Sequence, residues 1–512
     1  MTHPTPFQAT PHGPGLLLEE LVGELLGLEP KLEGNGATRI RGVRQDSRQV
    51  EVGELFVARA GASSSALAHV PQALERGAAA VLLEYGVDTA SIGVPVLRVT
   101  DARRALGLCA EAVYGFPSRA LPVVGVTGTN GKTTTTWLVE QALRALGARP
   151  ARLGTLGFSF DGTEEVSLHT TPEADEVSRR LALVLGQGAT HFVMEVSSHA
   201  LELGRVTALA FDVGAFSNLT QDHLDFHGSM QHYGAAKARL FQELLPRASV
   251  FNLDDAFGRQ LYAAQLALQK RSLGVAQHNT EAALRVQHAR LDRAGCAASI
   301  KYEGGEVELS SRLVGAHNLD NLLLALGILV QLGFEPALAA PALGSAEGVP
   351  GRMERCDEGS DDLLVVVDYA HTPDALERAL DTLLSIGGGR LHCVFGCGGD
   401  RDPKKRPLMG RAVAERAHSA IITNDNPRTE DPTLIAAAIS QAFPGLDCPY
   451  RVELERAAAI ESAMLAAAPG DTVLIAGKGH EDYQIFGRDK VPFDDRVQAR
   501  NALAKRRQRG QG

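Results

Sequence analysis

Cysteine is scarce in this chain. The 512 residues hold six, at Cys109, Cys296, Cys356, Cys393, Cys397 and Cys448. So thin a scatter excludes a disulfide scaffold and suits a reducing compartment. Cys393 and Cys397 stand four apart in "HCVFGCGG", but no second pair follows to complete a metal site. They read as a buried strand residue followed by a turn residue. Positive charge is also in deficit, with 51 Lys and Arg against 61 Asp and Glu and a net charge of −10. That balance argues against a general nucleic-acid or membrane-surface binder, while a locally basic site for an anionic small molecule stays open. Long apolar runs are missing. The longest notable one, Leu322 to Val330, is too short to span a bilayer. The opening "MTHPTPFQATPHGPG" has no basic segment followed by an apolar stretch, so no signal peptide is expected. A cytoplasmic protein without membrane insertion is the expectation. A monomer is expected too, although nothing in the sequence fixes the oligomeric state.

What is present is ordinary globular material, 44% hydrophobic and 22% charged, and long enough for about three domains. Residues 1–15, rich in Pro, Gly, Thr and His, read as a flexible tail. Residues 16–119 alternate helices with short strands, as in "GELFVARAG", "ALAHVPQALERGA" and "AAAVLLEYG". The prolines of "YGFPSRALP" mark a boundary before a second domain, 120–346, with strands at "PVVGV", "HFVMEV", "FDVGAFSN" and "ASVFNLD" and a helix at "NLLLALGILVQLG". The Gly- and Pro-rich "GSAEGVPGR" precedes a third, 347–512, with strands at "DLLVVVDYA", "RLHCVFGCGG", "SAIITNDNP" and "DTVLIAGKG". Strands alternating with helices predict an α/β protein built on mostly parallel sheets. The closing "AKRRQRGQG" reads as a solvated basic end.

The chemistry concentrates first in "VGVTGTNGKTT", Val124 to Thr134. It departs from the strict phosphate-loop spacing G-x-x-x-x-G-K-[ST], because Val126 occupies the first glycine position. A strand precedes it, and "TTTTWLVEQALRALGA" follows as a helix ending near Gly147, which is the context such a loop requires. Backbone N–H groups across Gly128, Thr129, Asn130 and Gly131 can wrap an anion. Lys132 can reach terminal phosphates, and the hydroxyl of Thr133 or Thr134 can hold Mg2+. "HFVMEVSSHAL" delivers Glu195 at the end of a strand, followed by Ser197, Ser198 and His199, and a Mg-nucleotide site needs such a carboxylate. Asp222, His223, Asp225 and His227 crowd one short segment, either as a metal site or as histidines capping a loop. Lys237 follows on a helix and, taken alone, reads as a surface lysine. Further along, "RLVGAHNLDN" carries Asn318 near a helix start, and "VPGRME" puts Arg352 at a domain junction. "VVVDYAHTPDAL" ends a strand with Asp368, Tyr369 and His371, where α/β folds place ligand groups.

Taken together and in order, "GVTGTNGKTT", "MEVSSHAL", "NLTQDHLDFHG", "AAKARLF", "GAHNLDN", "VPGRME", "VDYAHTPDAL", "FGCGGDRDPKKRP", "NDNPRTEDP" and "AGKGHEDYQ" resemble the Mur ligases, over about Asp46 to Gln484. The last three motifs point to the branch that forms the muramoyl tripeptide. In this family the loop has the form "TGTNGKT", so Val126 is expected where it stands. The resemblance implies a central P-loop-type parallel-sheet ATPase domain. This is flanked by an N-terminal α/β UDP-binding domain and a C-terminal Rossmann-like α/β domain that takes the amino acid. It implies an ATP-dependent, ADP-forming amide ligase acting on UDP-N-acetylmuramoyl-L-alanyl-D-glutamate through an acyl phosphate, with Lys132 and a pair of Mg2+ ions offsetting the repulsion between two anions.

Residue by residue, the resemblance places Thr133 or Thr134 and Glu195 on one Mg2+. It makes Lys237 a lysine carbamoylated by CO2 that serves a second Mg2+, with His223 nearby. Asn318, Arg352, Asp368 and His371 fall around ATP. Ser47 and Arg48 in "QDSRQVEVGELF" fall at the uridine nucleotide, and Thr170, Thr171, Ser197 and Arg205 at the muramoyl dipeptide. Two departures stand out: "GASSSALAH" replaces a loop that often contacts uracil, and Leu203 replaces a glutamine near the substrate. "DNPR", with Asp425, Asn426 and Arg428, matches the form associated with meso-diaminopimelate. Arg428 would pair with a distal carboxylate that lysine lacks, with Arg401, Gly477 and Glu481 completing the pocket. Lysine and ornithine are the alternative substrates. A folylpolyglutamate synthase would share the loop and lysine region but lack the "DNPR" and "GKGHED" pair. A non-catalytic nucleotide-binding relative would be expected to lose Lys132, Glu195 or Lys237.

Overall fold

The computed structural model describes residues 15–59, 67–87 and 92–509. These pack as two compact units. The first runs to Val286 and takes back residues 301–307 and 320–343, and the second holds 287–300, 308–319 and the chain from Gly344 onwards. The expected tail falls outside the described residues except for Gly15. So does most of the segment "GASSSALAH", and with it the question of uracil contacts.

The first unit contains two main sheets beside the two-stranded pair Leu16–Leu17 and Arg39–Ile40. The smaller runs Lys31–Glu33, Val96–Val99, Ala80–Glu84, Glu54–Val57, Gly42–Arg44, parallel except at its first pair. Its middle strands are buried along almost their whole length, as parallel strands covered on both faces must be. The first eight strands of the larger, eleven-stranded sheet stand in the order Thr163–Glu165, Gly157–Phe160, Pro150–Gly154, His191–Glu195, Val123–Thr127, Val213–Phe216, Ala248–Asn252, Ser272–Ala276. From Pro150–Gly154 to Ser272–Ala276 every pairing is parallel. Val123–Thr127 therefore lies between His191–Glu195 and Val213–Phe216, and the chain leaves it toward one side of the sheet and returns on the other. Its carboxyl end is a topological switch point, where α/β sheets open a crevice for ligands.

The second unit carries a six-stranded sheet in the order Glu354–Arg355, Leu364–Asp368, Thr472–Ala476, Leu391–Phe395, Ser419–Ile422, Tyr450–Val452. All pairs but the first are parallel. With the two sheets of the first unit, this makes three α/β layers, the class expected. One expectation fails. The basic end is not a loose tail, because through Arg509 it forms the helix Asp495–Arg509. Ala502 and Leu503 are buried on its inner face. Arg506 grips Asp362 through two bonds (2.8 and 2.6 Å), Arg507 pairs with Asp361 at 3.0 Å, and Lys505 with Glu461 at 2.6 Å. The arginines are spaced on helical turns that meet acidic partners, so the charge run is structural. Gly510 to Gly512 lie outside the described residues.

All six cysteines are free and buried. Cys393 lies in the strand Leu391–Phe395 and Cys397 just beyond it, as read. Among the described residues no helix is long and apolar enough to cross a membrane.

Candidate functional site

The glycine loop joins the strand Val123–Thr127 to the helix Lys132–Ala145. Gly131 caps that helix in a left-handed conformation (φ 86°) with no side-chain cap, which puts the loop at a helix N-terminus. The loop is braced from the neighbouring strand end. Thr129 N–H donates to Asn218 O (2.8 Å), Asn130 N–H to Asn218 Oδ1 (3.0 Å), and Ser217 Oγ to Asn130 O (2.6 Å). A β-carbon at Gly131 would press into the Asn321 side-chain oxygen, and one at Gly128 into Ser217 Oγ. Gly131→Ala is therefore expected to weaken Mg-nucleotide binding by about tenfold or more, given a backbone penalty of roughly 1–3 kcal/mol. Calorimetric titration with a non-hydrolysable ATP analogue reads this directly.

Lys132 Nζ folds back onto Gly128 O and Thr129 O, 2.9 Å each. Thr133 Oγ donates to Glu195 Oε2 at 3.0 Å, and both residues are buried. Glu195 also accepts Thr155 N–H (2.7 Å) and the Thr155 hydroxyl (3.2 Å). A hydroxyl and a carboxylate beside an anion-binding loop fit Mg2+, which takes few protein ligands and completes its shell with phosphate oxygens and water. Thr134 is half-buried on the same turn.

The residues expected at the muramoyl dipeptide are continuous with this pair. Thr155 Oγ lies 3.2 Å from Thr170 Oγ. The Thr171 hydroxyl donates to Glu195 O (2.8 Å) and lies 3.3 Å from Ser197 Oγ. Arg205 donates to Thr171 O (3.0 Å) and pairs with Glu173 at 2.8 Å. A cleft of about 950 Å³ opens between residues 44–51 and 165–180, with Asp46 and Gln49 on one wall and His169 and Glu173 on the other. Ser47 and Arg48 belong to the first of these segments but turn elsewhere. Ser47 Oγ donates to Gln72 at 2.7 Å, and the exposed Arg48 pairs with Asp46 at 2.8 Å.

Lys237 corrects the bland reading. It is buried, not on the surface, and Nζ donates to Gly128 O at 2.7 Å above the Tyr233 ring. Burial, then the nearby Lys132 charge, hold its ammonium well below the usual lysine range. The Asp222 to His227 cluster does not form a metal group. Among the described residues no three His, Cys, Asp or Glu side chains gather to hold one. The His223 and His227 rings pack against His199 instead, at 4.9 and 5.5 Å, His227 Nε2 meets Ser198 Oγ at 3.0 Å, and His223 N–H is taken up by Asp222. His223 lies 6.1 Å from Tyr233, ring to ring.

In the second unit, Asp368 ends its strand and accepts Met353 N–H (2.7 Å) and Ala370 N–H (2.8 Å), while burial pushes its carboxyl above the usual range. His371 packs edge-on against Tyr369, ring centroids 4.6 Å apart, and Arg352 adjoins Met353. Asn318 is buried and donates to Val314 O at 2.9 Å. The residues expected to form the amino-acid pocket lie where two strand ends meet a hairpin. Asn426 Nδ2 donates to Glu481 Oε2 at 2.9 Å, and Arg428 to Gly399 O at 2.7 Å. A β-carbon at Gly477 would lie 2.5 Å from Asp425 Oδ2. Arg401 is exposed on the loop that also carries Gly399. Left-handed backbone at non-glycine residues recurs in these segments, at His223, Met353, Asp400 and Arg428, and such conformations concentrate at functional sites.

Behind the pocket, Arg456 and Asp495 form a fully buried pair with two 2.7 Å bonds. Arg456 also donates to Asn424 O (3.1 Å) and Ala476 O (3.0 Å), the carbonyls just before Asp425 and Gly477. Sequence reading passed over Thr155, Lys478 and the Ser217–Asn218 brace. Lys478 was findable, since it stands between two residues already assigned.

The pattern of the Mur ligase middle domain matches residues 126–329, and that of the Mur ligase glutamate ligase domain residues 351–479. The UDP-N-acetylmuramoyl-L-alanyl-D-glutamate–2,6-diaminopimelate ligase of Gloeobacter violaceus is 45% identical over 472 residues, 92% of this chain and 95% of that one. The protein of the same name from Trichormus variabilis is 44% identical over 474 residues, 92% and 95% of the two chains. A solved structure of a UDP-N-acetylmuramoyl-L-alanyl-D-glutamate–2,6-diaminopimelate ligase superposes with a TM-score of 0.75 at 34% identity, covering 96% of this chain and 99% of that one.

Proposed function

The chain belongs to the Mur ligase family, and from that premise we propose that it joins meso-diaminopimelate to the D-glutamate of UDP-N-acetylmuramoyl-L-alanyl-D-glutamate at the expense of ATP, as a cytoplasmic monomer in peptidoglycan precursor synthesis. Two observations carry this reading: in the first unit a glycine loop whose Thr133 is bonded to Glu195, and in the second unit Asn426 bonded to Glu481, with Arg428 two residues beyond Asn426. Residues 16–119 would take the uridine nucleotide, 120–346 the ATP and 347–512 the amino acid.

The two anions to be joined must first be brought together. The loop N–H groups from Gly128 to Thr133 bind the ATP phosphates, and Lys132 exchanges Gly128 O and Thr129 O for a phosphate oxygen. Thr133 and Glu195 would hold Mg2+, which when bound neutralises charge on the transferring phosphoryl group. Thr170, Thr171, Ser197 and Arg205 orient the D-glutamate carboxylate. A carboxylate oxygen bonds to the γ-phosphorus as the bond to ADP breaks. The amine of the diamino acid then attacks the acyl carbon, a proton is lost, and phosphate leaves. Asn318, Arg352, Asp368 and His371 are assigned to the nucleotide, and Ser47 and Arg48 to the uridine end.

Lys237 is proposed to carry a carbamate. Burial beside Lys132 favours the neutral amine, which is the form that attacks CO2, forming an N–C bond and releasing a proton. The product puts an anion suited to a second Mg2+ where the neutral amine stood, with His223 alongside.

Glu481 would accept the distal ammonium, and Arg428 and Arg401 the distal carboxylate. Phosphate release from ATP, in Mg2+ and bicarbonate with the UDP-muramoyl dipeptide, tests this with meso-diaminopimelate, L-lysine and L-ornithine in separate reactions. Release with diaminopimelate alone is expected. Release with lysine or ornithine instead would keep the ligase and remove the role given to Arg428. Silence with all three would remove the ligase.

A further inference from the structure

Lys478 lies between Gly477 and Glu481 and is wholly shut off from solvent. A buried ammonium is costly unless matched, and its partners are two pocket residues. Nζ lies 3.3 Å from Asn426 Oδ1 and 3.2 Å from Glu481 Oε2, with the Tyr483 ring 5.4 Å away.

The arrangement fixes how the pocket presents itself. Asn426 Oδ1 receives the Lys478 ammonium and also Ile485 N–H at 3.0 Å. Both are donors only, so that atom must be the amide oxygen. Asn426 Nδ2 then spends one N–H on Glu481 Oε2 and keeps the other for a ligand acceptor. Glu481 has Oε2 occupied by two donors, which leaves Oε1 for an incoming ammonium.

The charges follow from this. The distal end of diaminopimelate carries an ammonium and a carboxylate, so it brings no net charge. The distal end of lysine carries an ammonium alone. Either ammonium must settle on Glu481, whose charge Lys478 already shares. The carboxylate of diaminopimelate adds an anion to set against the second cation, and lysine brings none. We infer that Lys478 is a specificity-determining positioning residue, which orients Asn426 and Glu481 and sets the pocket against a side chain ending in an unaccompanied ammonium. The inference rests on the diaminopimelate reading above.

The test is steady-state kinetics of Lys478→Met and Lys478→Gln. Each is measured with diaminopimelate and with L-lysine as the varied substrate, alongside KM for ATP and for the UDP-muramoyl dipeptide and a melting curve. The ratio of kcat/KM for diaminopimelate over lysine is expected to fall by about tenfold or more in Lys478→Met, within the range that pocket contacts command. The other two KM values should stay within about twofold. Lys478→Gln keeps the length and donor N–H groups while removing the charge. It carries the test if the methionine variant does not fold, and its ratio should fall as well. An unchanged ratio in the glutamine variant, or equal losses with both amino acids, would overturn the inference, because a purely structural defect lowers both alike. Failure of the underlying reading is separate, since it appears in the unmodified protein as no turnover with diaminopimelate.

Discussion

Lys237→Ala should lose ligation by about a hundredfold or more, the scale on which removal of a charge-stabilising group at a reacting centre is felt, while its melting temperature stays close to that of the parent. The side chain sits on the helix Met230–Gln242, where alanine is the best helix former. Its removal leaves the Gly128 carbonyl, which it now holds at 2.7 Å, to Lys132 Nζ alone. A carbamate on this nitrogen would be an anion beside the phosphate loop, so a small carboxylate such as formate should restore part of the activity. The dependence on pH has a definite sign. CO2 adds only to the neutral amine, and burial with the neighbouring Lys132 charge lowers the pH at which the amine becomes neutral. Activity should therefore fall as the solution is made acid and rise with added bicarbonate, and the alanine variant should show no bicarbonate response. Full activity in the variant, or a bicarbonate response that survives in it, would remove the carbamate.

The largest loss of stability is expected at Arg456. Asp495 is wholly buried opposite it. Methionine at 456 would strand that carboxylate and leave Asn424 O and Ala476 O without their shared donor. Breaking a buried pair on one side costs about 3–5 kcal/mol. For a unit of this size that lowers the melting temperature by roughly 2–4 °C per kcal/mol. Differential scanning calorimetry of Arg456→Met should show the shift, and Arg456→Met with Asp495→Leu should recover much of it, because apolar replacement of both partners removes the stranded charge. A double variant no better than the single would mean that the carbonyl anchors, not the ion pair, dominate.

The core parallel strands were legible because each is a short apolar run next to a turn signal. Val123–Thr127, His191–Glu195, Leu364–Asp368 and Thr472–Ala476 all stand where the sequence predicts them. The strands Leu284–Asp292, Gly295–Tyr302 and Gly305–Ser311 were missed. The first is rich in Arg, His and Gln and mostly open along its length, so no apolar period marks it. The C-terminal helix was misread for a related reason, since its arginines find their acidic partners only in three dimensions. The loop, Glu195 and the "DNPR" segment were readable as motifs. Thr155 was not, because its link to Glu195 runs between adjacent strands forty residues apart in the chain. Lys237 shows the limit of local reading, because nothing in "AAKARLF" says that this lysine points inward.

Arg456 has one more consequence, for how such a pocket can change over evolutionary time. Its grip on Asn424 and Ala476 is on backbone carbonyls, which every amino acid supplies. Those two anchors therefore hold whatever side chains the loops that follow carry. Within the loops, Gly477 is fixed by its closeness to Asp425, and Lys478, Asn426 and Glu481 are bonded to one another, so a lineage that changes them must change them together. Backbone anchoring of this kind separates the roots of the loops from their side chains, and the same division tells a protein engineer to leave Arg456 alone and to randomise the bonded loop residues as a set.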